Sequence, residues 1–273
     1  MSVVNTNLSA LSAQTSLAAN QRSLSSATAQ LATGKRINSA ADDAAGSALG
    51  VRLATQLGSL RVAQRNTGDG ESMLRVADAG ADGLANLLYR MKELTVQSLN
   101  DTNSSIDKSA LNAEFKQLQL ALQSSIDNTE WNGMKLLRGE VGNSGTVRFH
   151  VGPAAADYLT FDFGNLNIGA LVASKSIANA TDANTALDQI DTALGQVNTA
   201  RGLWGSVSNR LAFAGSHAAN MHLNTSASYS TTMDADYAKA TADLARAMIL
   251  DQAGTAMLSQ ANQRPYYVLA LLS

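Results

Sequence analysis

Between Ala10 and Leu31 the residues Ala10, Ala13, Leu17, Leu24, Ala27 and Leu31 recur at alternating three- and four-residue steps, interrupted by Asn20. Such spacing lays one narrow apolar stripe along a helix. The rest of this stretch is largely Ser, Thr, Asn and Gln, so few charges hold the helix in water. A helix of about 25 residues is about 38 Å long, and a stripe that narrow forms no core unaided. The chain must supply partners for it. Aromatic residues are only 5% of the sequence against 45% hydrophobic overall, so burial rests on Ala, Leu, Val, Ile and Met, which favours helix on helix.

The stripe ends at a helix stop followed closely by a helix start. Gly34 suits the left-handed conformation that closes a helix, with Lys35 and Arg36 as cations beside its carbonyl end. Asn38 or Ser39 then suits the cap of the next helix, Ser39 with Asp42 has the form of a capping box, and Asp42 and Asp43 put negative charge at the amino end. This junction separates two helical regions.

Beyond it, Leu49, Leu53, Leu57 and Leu60 mark one helix face, and Leu84, Leu87, Leu88, Met91 and Leu94 continue the pattern. Gly68 and Gly70 allow a bend between the two runs, and one long helix is equally allowed. A turn-forming cluster at residues 100–105 precedes a helix presenting Leu111, Phe115, Leu118, Leu122 and Ile126, which makes the flanking helices antiparallel neighbours. That helix closes near Trp131, where Asn132 and Gly133 supply turn chemistry. Residues 146–151 and 158–163 alternate and carry β-formers around Gly152 and Pro153, the one clear hairpin pattern.

Helical spacing returns from Thr185, with Asp188 completing a second capping-box pattern, and runs through Leu187, Ile190, Leu194, Val197, Trp204 and Leu211 to about Asn224. The last helix carries Tyr237, Leu244, Met248, Met257 and Leu258, and Pro265 is expected to kink or end it. The tail around Leu271 and Leu272 is unusually apolar for a free terminus.

Several function classes find no support. The formal charge is −2 and no basic run occurs, which disfavours nucleic acid and anionic membrane surfaces as partners. There are no cysteines, and the three histidines His150, His217 and His222 form no metal or triad motif. No catalytic residue, cofactor site or metal site is expected. Asp42 and Asp43 are explained by helix-start electrostatics, and Trp131 and Trp204 by packing. The opening residues lack the basic start and apolar core of a cleavable signal peptide, and no transmembrane span is present.

The run from Leu31 to Gly46 resembles the signature of bacterial flagellins, and Asn5 to Asn7 is similar to that family's start. Residues 90–97, 132–137, 201–205, 209–211, 226–238 and 260–262 resemble further flagellin motifs, although Thr231, Thr232 and Met233 stand where the family usually has Arg and Ile. The resemblance implies a mainly α fold: an elongated helical bundle with paired N- and C-terminal coiled-coil helices and one small β-hairpin. Residues 1–43 and 225–273 would form an inner coiled-coil domain, and residues 44–224 a helical rod with the hairpin at about 141–165. It also implies a subunit that self-assembles into the flagellar filament and leaves the cell by type III export. Leu17, Leu24, Leu31, Leu244, Met248, Leu258, Leu271 and Leu272 would carry self-assembly, with Gly34, Arg36, Asn38, Asp42 and Asp43 at the domain junction. The implied partners are further copies of the chain, hook-junction and cap proteins, an export chaperone and the Toll-like receptor that senses flagellin. The positions matching the receptor contact are Arg90, Leu94 and Glu114, with Tyr89 where the family often has Gln. A hook–filament junction protein and a non-polymerising helical scaffold are the alternative readings.

Overall fold

The structure, a computed structural model, describes residues 6–142, 145–166 and 168–270, with side chains as far as residue 263. Among the described residues, six helices and two small antiparallel sheets follow one another as α1 (Leu8–Thr33), α2 (Ala44–Ser98), α3 (Ser105–Asn128), β1 (Glu130–Trp131), β2 (Met134–Lys135), β3 (Thr146–His150), β4 (Tyr158–Asp162), α4 (Ile168–Val172), α5 (Ala180–Met233) and α6 (Tyr237–Ala270). They pack as two units. One takes the chain up to Leu57 and from Asn224 onward, the other Gly58–Leu223, and both boundaries fall inside helices.

In the second unit α2 and α3 run antiparallel, as the short polar loop predicts, and Ser104 caps α3 in a capping box closed by Asp107. Leu84, Leu88, Met91 and Leu94 of α2 meet Phe115, Leu122 and Ile126 of α3 and Ile190, Val197, Trp204 and Leu211 of α5 in one core. The β3–β4 pair aligns Val147 with Phe161 and Phe149 with Leu159, and Phe149 and Phe161 close over the helices. Gly70 makes room for Phe149 and for Leu211 of α5: a Cβ there would come to 3.0 Å from both. The segment after α4 is pinned by amides, with Gln119 donating to the carbonyls of Val172 and Lys175 and Asn112 accepting from the Ile177 N–H.

Several expectations are corrected. The helix after the junction starts at Ala44, and its cap is Asp43, whose Oδ1 accepts from the Gly46 N–H at 2.9 Å; Asn38 and Ser39 belong to a separate turn. Of the two forms the sequence allowed around Gly68 and Gly70, the structure has the single long helix, α2, of 55 residues. The Asn132–Gly133 turn, both residues at positive φ, closes a two-stranded sheet whose strands, two residues each, are too short for the sequence pattern to reveal. The short helix α4 follows the hairpin, in a stretch where the sequence pattern marked no element. Helix α5 starts at Ala180, capped by Asn179, whose Oδ1 accepts from the Asp182 N–H, and continues to Met233; Thr185 and Asp188 lie inside it. Pro265 does not end α6, which runs on to Ala270.

Candidate assembly surface and junction

In the first unit α1 and α6 pair antiparallel. The Asn7 side chain reaches the carbonyl of Ala261, Leu17 faces Gly254, Asn20 reaches the carbonyl of Ala247 and Tyr237 faces the carbonyl of Leu31. Only Ala10 and Ala27 of α1, and Ala240, Ala247 and Ala261 of α6, are buried in this pair among the described side chains. Leu17, Leu24, Leu31, Leu244 and Leu258 are half-buried along the seam. Met248 lies outside it at 50% exposure, beside Ile249 at 66%, Leu250 at 51% and Met257 at 59%. A groove of about 720 Å³ opens along the pair, lined by Leu8, Ala13, Leu17, Leu250, Gly254 and Met257. Leu271 and Leu272 lie outside the described residues. The periodicity located the seam, but Ile249 and Leu250 stand off its spacing and escaped notice; their apolar character on a largely solvated helix was the available signal.

The junction is a short meeting of the two ends of the chain. Gly34, at φ 69°, closes α1 and gives its N–H to the carbonyl of Gln30. Its own carbonyl accepts from the Ala235 N–H at 2.9 Å, and the Arg36 N–H donates to the Met233 carbonyl at 2.7 Å. The Arg36 guanidinium donates to the Thr232 carbonyl, also at 2.7 Å. This cation therefore neutralises the carbonyl end of α5, not of α1 as its place in the sequence suggests. Asp42 folds the intervening turn by accepting from the Ser39 and Asn38 N–H groups, and those bonds hold its carboxyl below the ordinary carboxylate value. The Asn38 side chain donates to the Lys35 carbonyl. Ile37, which sequence reasoning passed over, is buried against Gly46, where a Cβ would come to 2.5 Å from the Ile37 side chain. Met233 likewise packs on Gly50.

In the second unit Arg90 is exposed on α2 and donates to Glu114 of α3 at 2.8 and 3.1 Å and to Glu93 at 3.0 Å. The Glu114 bonds first, and Glu93 second, raise the guanidinium pKa above its ordinary value. Tyr89 is exposed beside it. Leu94 is 1% exposed and sits in the core, so it supports the helix that presents Arg90 and offers no surface of its own. A second cation, Arg201 of α5, bridges Asp78 and Asp82 of α2 at 2.8 Å each, a cluster that no sequence spacing links.

Among the described residues no three His, Cys, Asp or Glu side chains are grouped to hold a metal ion, and no helix is long and apolar enough to cross a membrane. What the geometry offers is a set of surfaces, apolar at the chain ends and charged on α2 and α3. Comparison with known proteins identifies the family of the chain that carries them. Residues 4–141 match the bacterial flagellin N-terminal helical region, and residues 187–272 match the bacterial flagellin C-terminal helical region. The chain belongs to the flagellin family. It is 37% identical over 273 residues to a flagellin of Halalkalibacterium halodurans, covering 99% of both chains. It is 32% identical over 284 residues, with the same coverage, to the flagellar filament 33 kDa core protein of Treponema phagedenis. The crystal structure of Bacillus cereus flagellin matches with a TM-score of 0.51 and 28% identity, covering 56% of this chain and 88% of that one. The chain is thus a short flagellin and a structural subunit of the flagellar filament.

Proposed function

We propose that self-assembly is carried by the α1–α6 pair, with Leu17, Leu24, Leu31, Leu244, Leu258 and Met248 as its residues and the tail around Leu271 and Leu272 as their continuation. One observation carries this reading: the pair buries little beyond alanines while Met248, Ile249, Leu250 and Met257 stay exposed. Ordering a backbone costs about 1–2 kcal/mol per residue, and apolar burial returns about 25 cal/mol per Å². Two long helices meeting on a thin seam need further apolar surface, and other copies of the chain bring it. Head-to-tail contacts that do not close then grow a helical polymer. In this reading residues 1–43 and 225–273 form the assembling domain and residues 44–224 the rod. Gly34, Arg36, Asn38, Asp42 and Asp43 fix the turn at which the two ends meet.

The remaining expectations extend the same reading. The subunit leaves the cell by type III export with a chaperone, meets hook-junction and cap proteins at the ends of the filament, and functions outside the cell. The exposed network of Arg90, Glu93 and Glu114, with Tyr89 beside it, supports recognition of monomer by the flagellin-sensing Toll-like receptor. Binding of the Arg90→Ala monomer tests that: affinity falls if Arg90 is in the contact, and unchanged affinity removes it. Growth on filament seeds viewed by electron microscopy tests the main reading. The full chain extends seeds, and a chain trimmed of residues 1–31 and 237–273 does not. Extension by the trimmed chain would overturn it.

A further inference from the structure

Asn7 uses both ends of its amide. Its Oδ1 accepts from the Ala10 N–H at 3.1 Å, capping α1, so its Nδ2 is left to point elsewhere, and it donates to the carbonyl of Ala261 on α6 at 2.7 Å. The residue four positions after Ala261 is Pro265, and α6 is helical through it. Proline has no N–H, so the Ala261 carbonyl lacks the i+4 donor that its neighbours in the helix have. The Asn7 amide stands in for that donor. Roughly two heptads along the seam, the Asn20 Nδ2 donates in the same way to the Ala247 carbonyl at 2.8 Å. At both places the α6 residue is a buried alanine, small enough to let a side chain reach the backbone.

Apart from Asp251, half-buried between Ala247 and Gly254 with its Oδ1 lacking a hydrogen-bond partner, the rest of the seam is Ala, Leu and Gly at heptad spacing, and these apolar residues accept a slip of one heptad with little loss. A slip does change the polar accounts. It carries the Ala261 carbonyl away from Asn7 and leaves an acceptor without its donor, the costly half of a broken hydrogen bond. We propose that Asn7, together with the carbonyl that Pro265 leaves free on Ala261, sets the register in which the two chain ends pair, with Asn20 as a second pin. This rests on the reading that the α1–α6 pair is the assembling element. It adds a specificity determinant that the apolar residues of the seam cannot supply, and it gives the proline inside a long helix a positive task.

The chain's lack of cysteine makes the register readable. A Cβ at position 254 would lie 4.0 Å from the Leu17 Cβ, within the range for a disulfide. Leu17→Cys with Gly254→Cys therefore reports the native register, while Leu17→Cys with Ala247→Cys or Ala261→Cys reports a slip of one heptad. The full-length reporter chains are doped at low fraction into filaments of the unsubstituted chain, so that polymer forms whatever the variant does, and are oxidised and compared on denaturing gels. Asn7→Asp keeps the cap, removes the donor and turns a carboxylate oxygen toward the Ala261 carbonyl, whereas Asn7→Ser removes the donor without adding charge. The expected result is that the native-to-slipped cross-link ratio falls about fivefold in Asn7→Ser, which caps but does not reach α6, the worth of one hydrogen bond. Asn7→Asp gives at least the same fall. Pro265→Ala, which restores an N–H for the Ala261 carbonyl, also lowers the ratio, because the slipped pair no longer strands an acceptor. If the parent chain cross-links at 17–254 and Asn7→Asp, Asn7→Ser and Pro265→Ala all leave the ratio unchanged, the register proposal is wrong and the assembly reading stands. If the parent chain gives no 17–254 cross-link in filaments, the pairing of the ends is wrong, and both fall.

Discussion

Ile249, Leu250 and Met257 give the assembly reading a number. They are 66%, 51% and 59% exposed, on helix α6, and none is needed by the seam. Full burial of such a side chain is worth about 1.5–3 kcal/mol, so covering the exposed half or more of each gains about 1 kcal/mol, or ~3 kcal/mol for the three together. Replacing all three by Gln removes that gain while keeping good helix formers. Because a free-energy change of about 1.4 kcal/mol is a factor of ten in an equilibrium constant, the concentration of free subunit in equilibrium with filament should rise about a hundredfold. Pelleting of seeded filaments and assay of the supernatant measures it directly. The urea unfolding transition of the monomer, governed by the core of the second unit, should not move. A triple variant with the parent's critical concentration would show that this face stays in water in the polymer, and the proposed assembly surface would be wrong.

Two further outcomes follow from single residues. A Cβ at position 80 would come to 2.6 Å from the branched Thr129 side chain, whose hydroxyl is held by the Ser125 carbonyl, whereas position 83 has nothing within 4 Å. Overpacking costs about 1–3 kcal/mol and exceeds the gain in helix propensity of about 1 kcal/mol, so Gly80→Ala should lower the urea midpoint and Gly83→Ala should raise it. The Asp107 carboxyl is held below its ordinary value of 3.8 by the Ser104 hydroxyl and then the Ser104 N–H. A depressed carboxylate pKa gives stability that is present above the unfolded value and lost as pH falls through the folded one. Amides in the first turn of α3 should therefore lose protection from exchange only below about pH 4, and Asp107→Asn should abolish that pH dependence.

How much of this was legible in the sequence depended on the range over which each signal acts. Local signals served well. Gly34 stops α1, the polar cluster at residues 100–105 reverses the chain, and the alternation around Phe149 and Phe161 marks the longer hairpin. Caps were read less well, because the 31–46 run offers several Asn, Ser and Asp residues in succession. Their choice is made by tertiary contact: Ile37 is buried on Gly46, which fixes Asp43 as the cap and leaves Ser39 and Asp42 to a turn. Glycines left two forms of α2 open for the converse reason. Gly70 looks like a bend but is a space for Phe149 and Leu211 inside an unbroken helix. Of the site residues, Leu94 continues the apolar run of α2 and is buried as that run implies, and only the resemblance to the receptor contact groups it with Arg90, which faces solvent. The most distant pairings, Arg36 with Thr232 and Asn7 with Ala261, leave no trace in either local segment.

Amide hydrogen exchange, run on monomer and on filament, goes straight to whether the ends of the chain complete their burial in other copies of it. The account predicts that the amides of α1 before Ala32 and of α6 after Asp236 exchange rapidly in the monomer and become protected in the filament, while the core of the second unit is protected in both. Strong protection of α1 and α6 in the monomer, or their continued fast exchange in the filament, would contradict it.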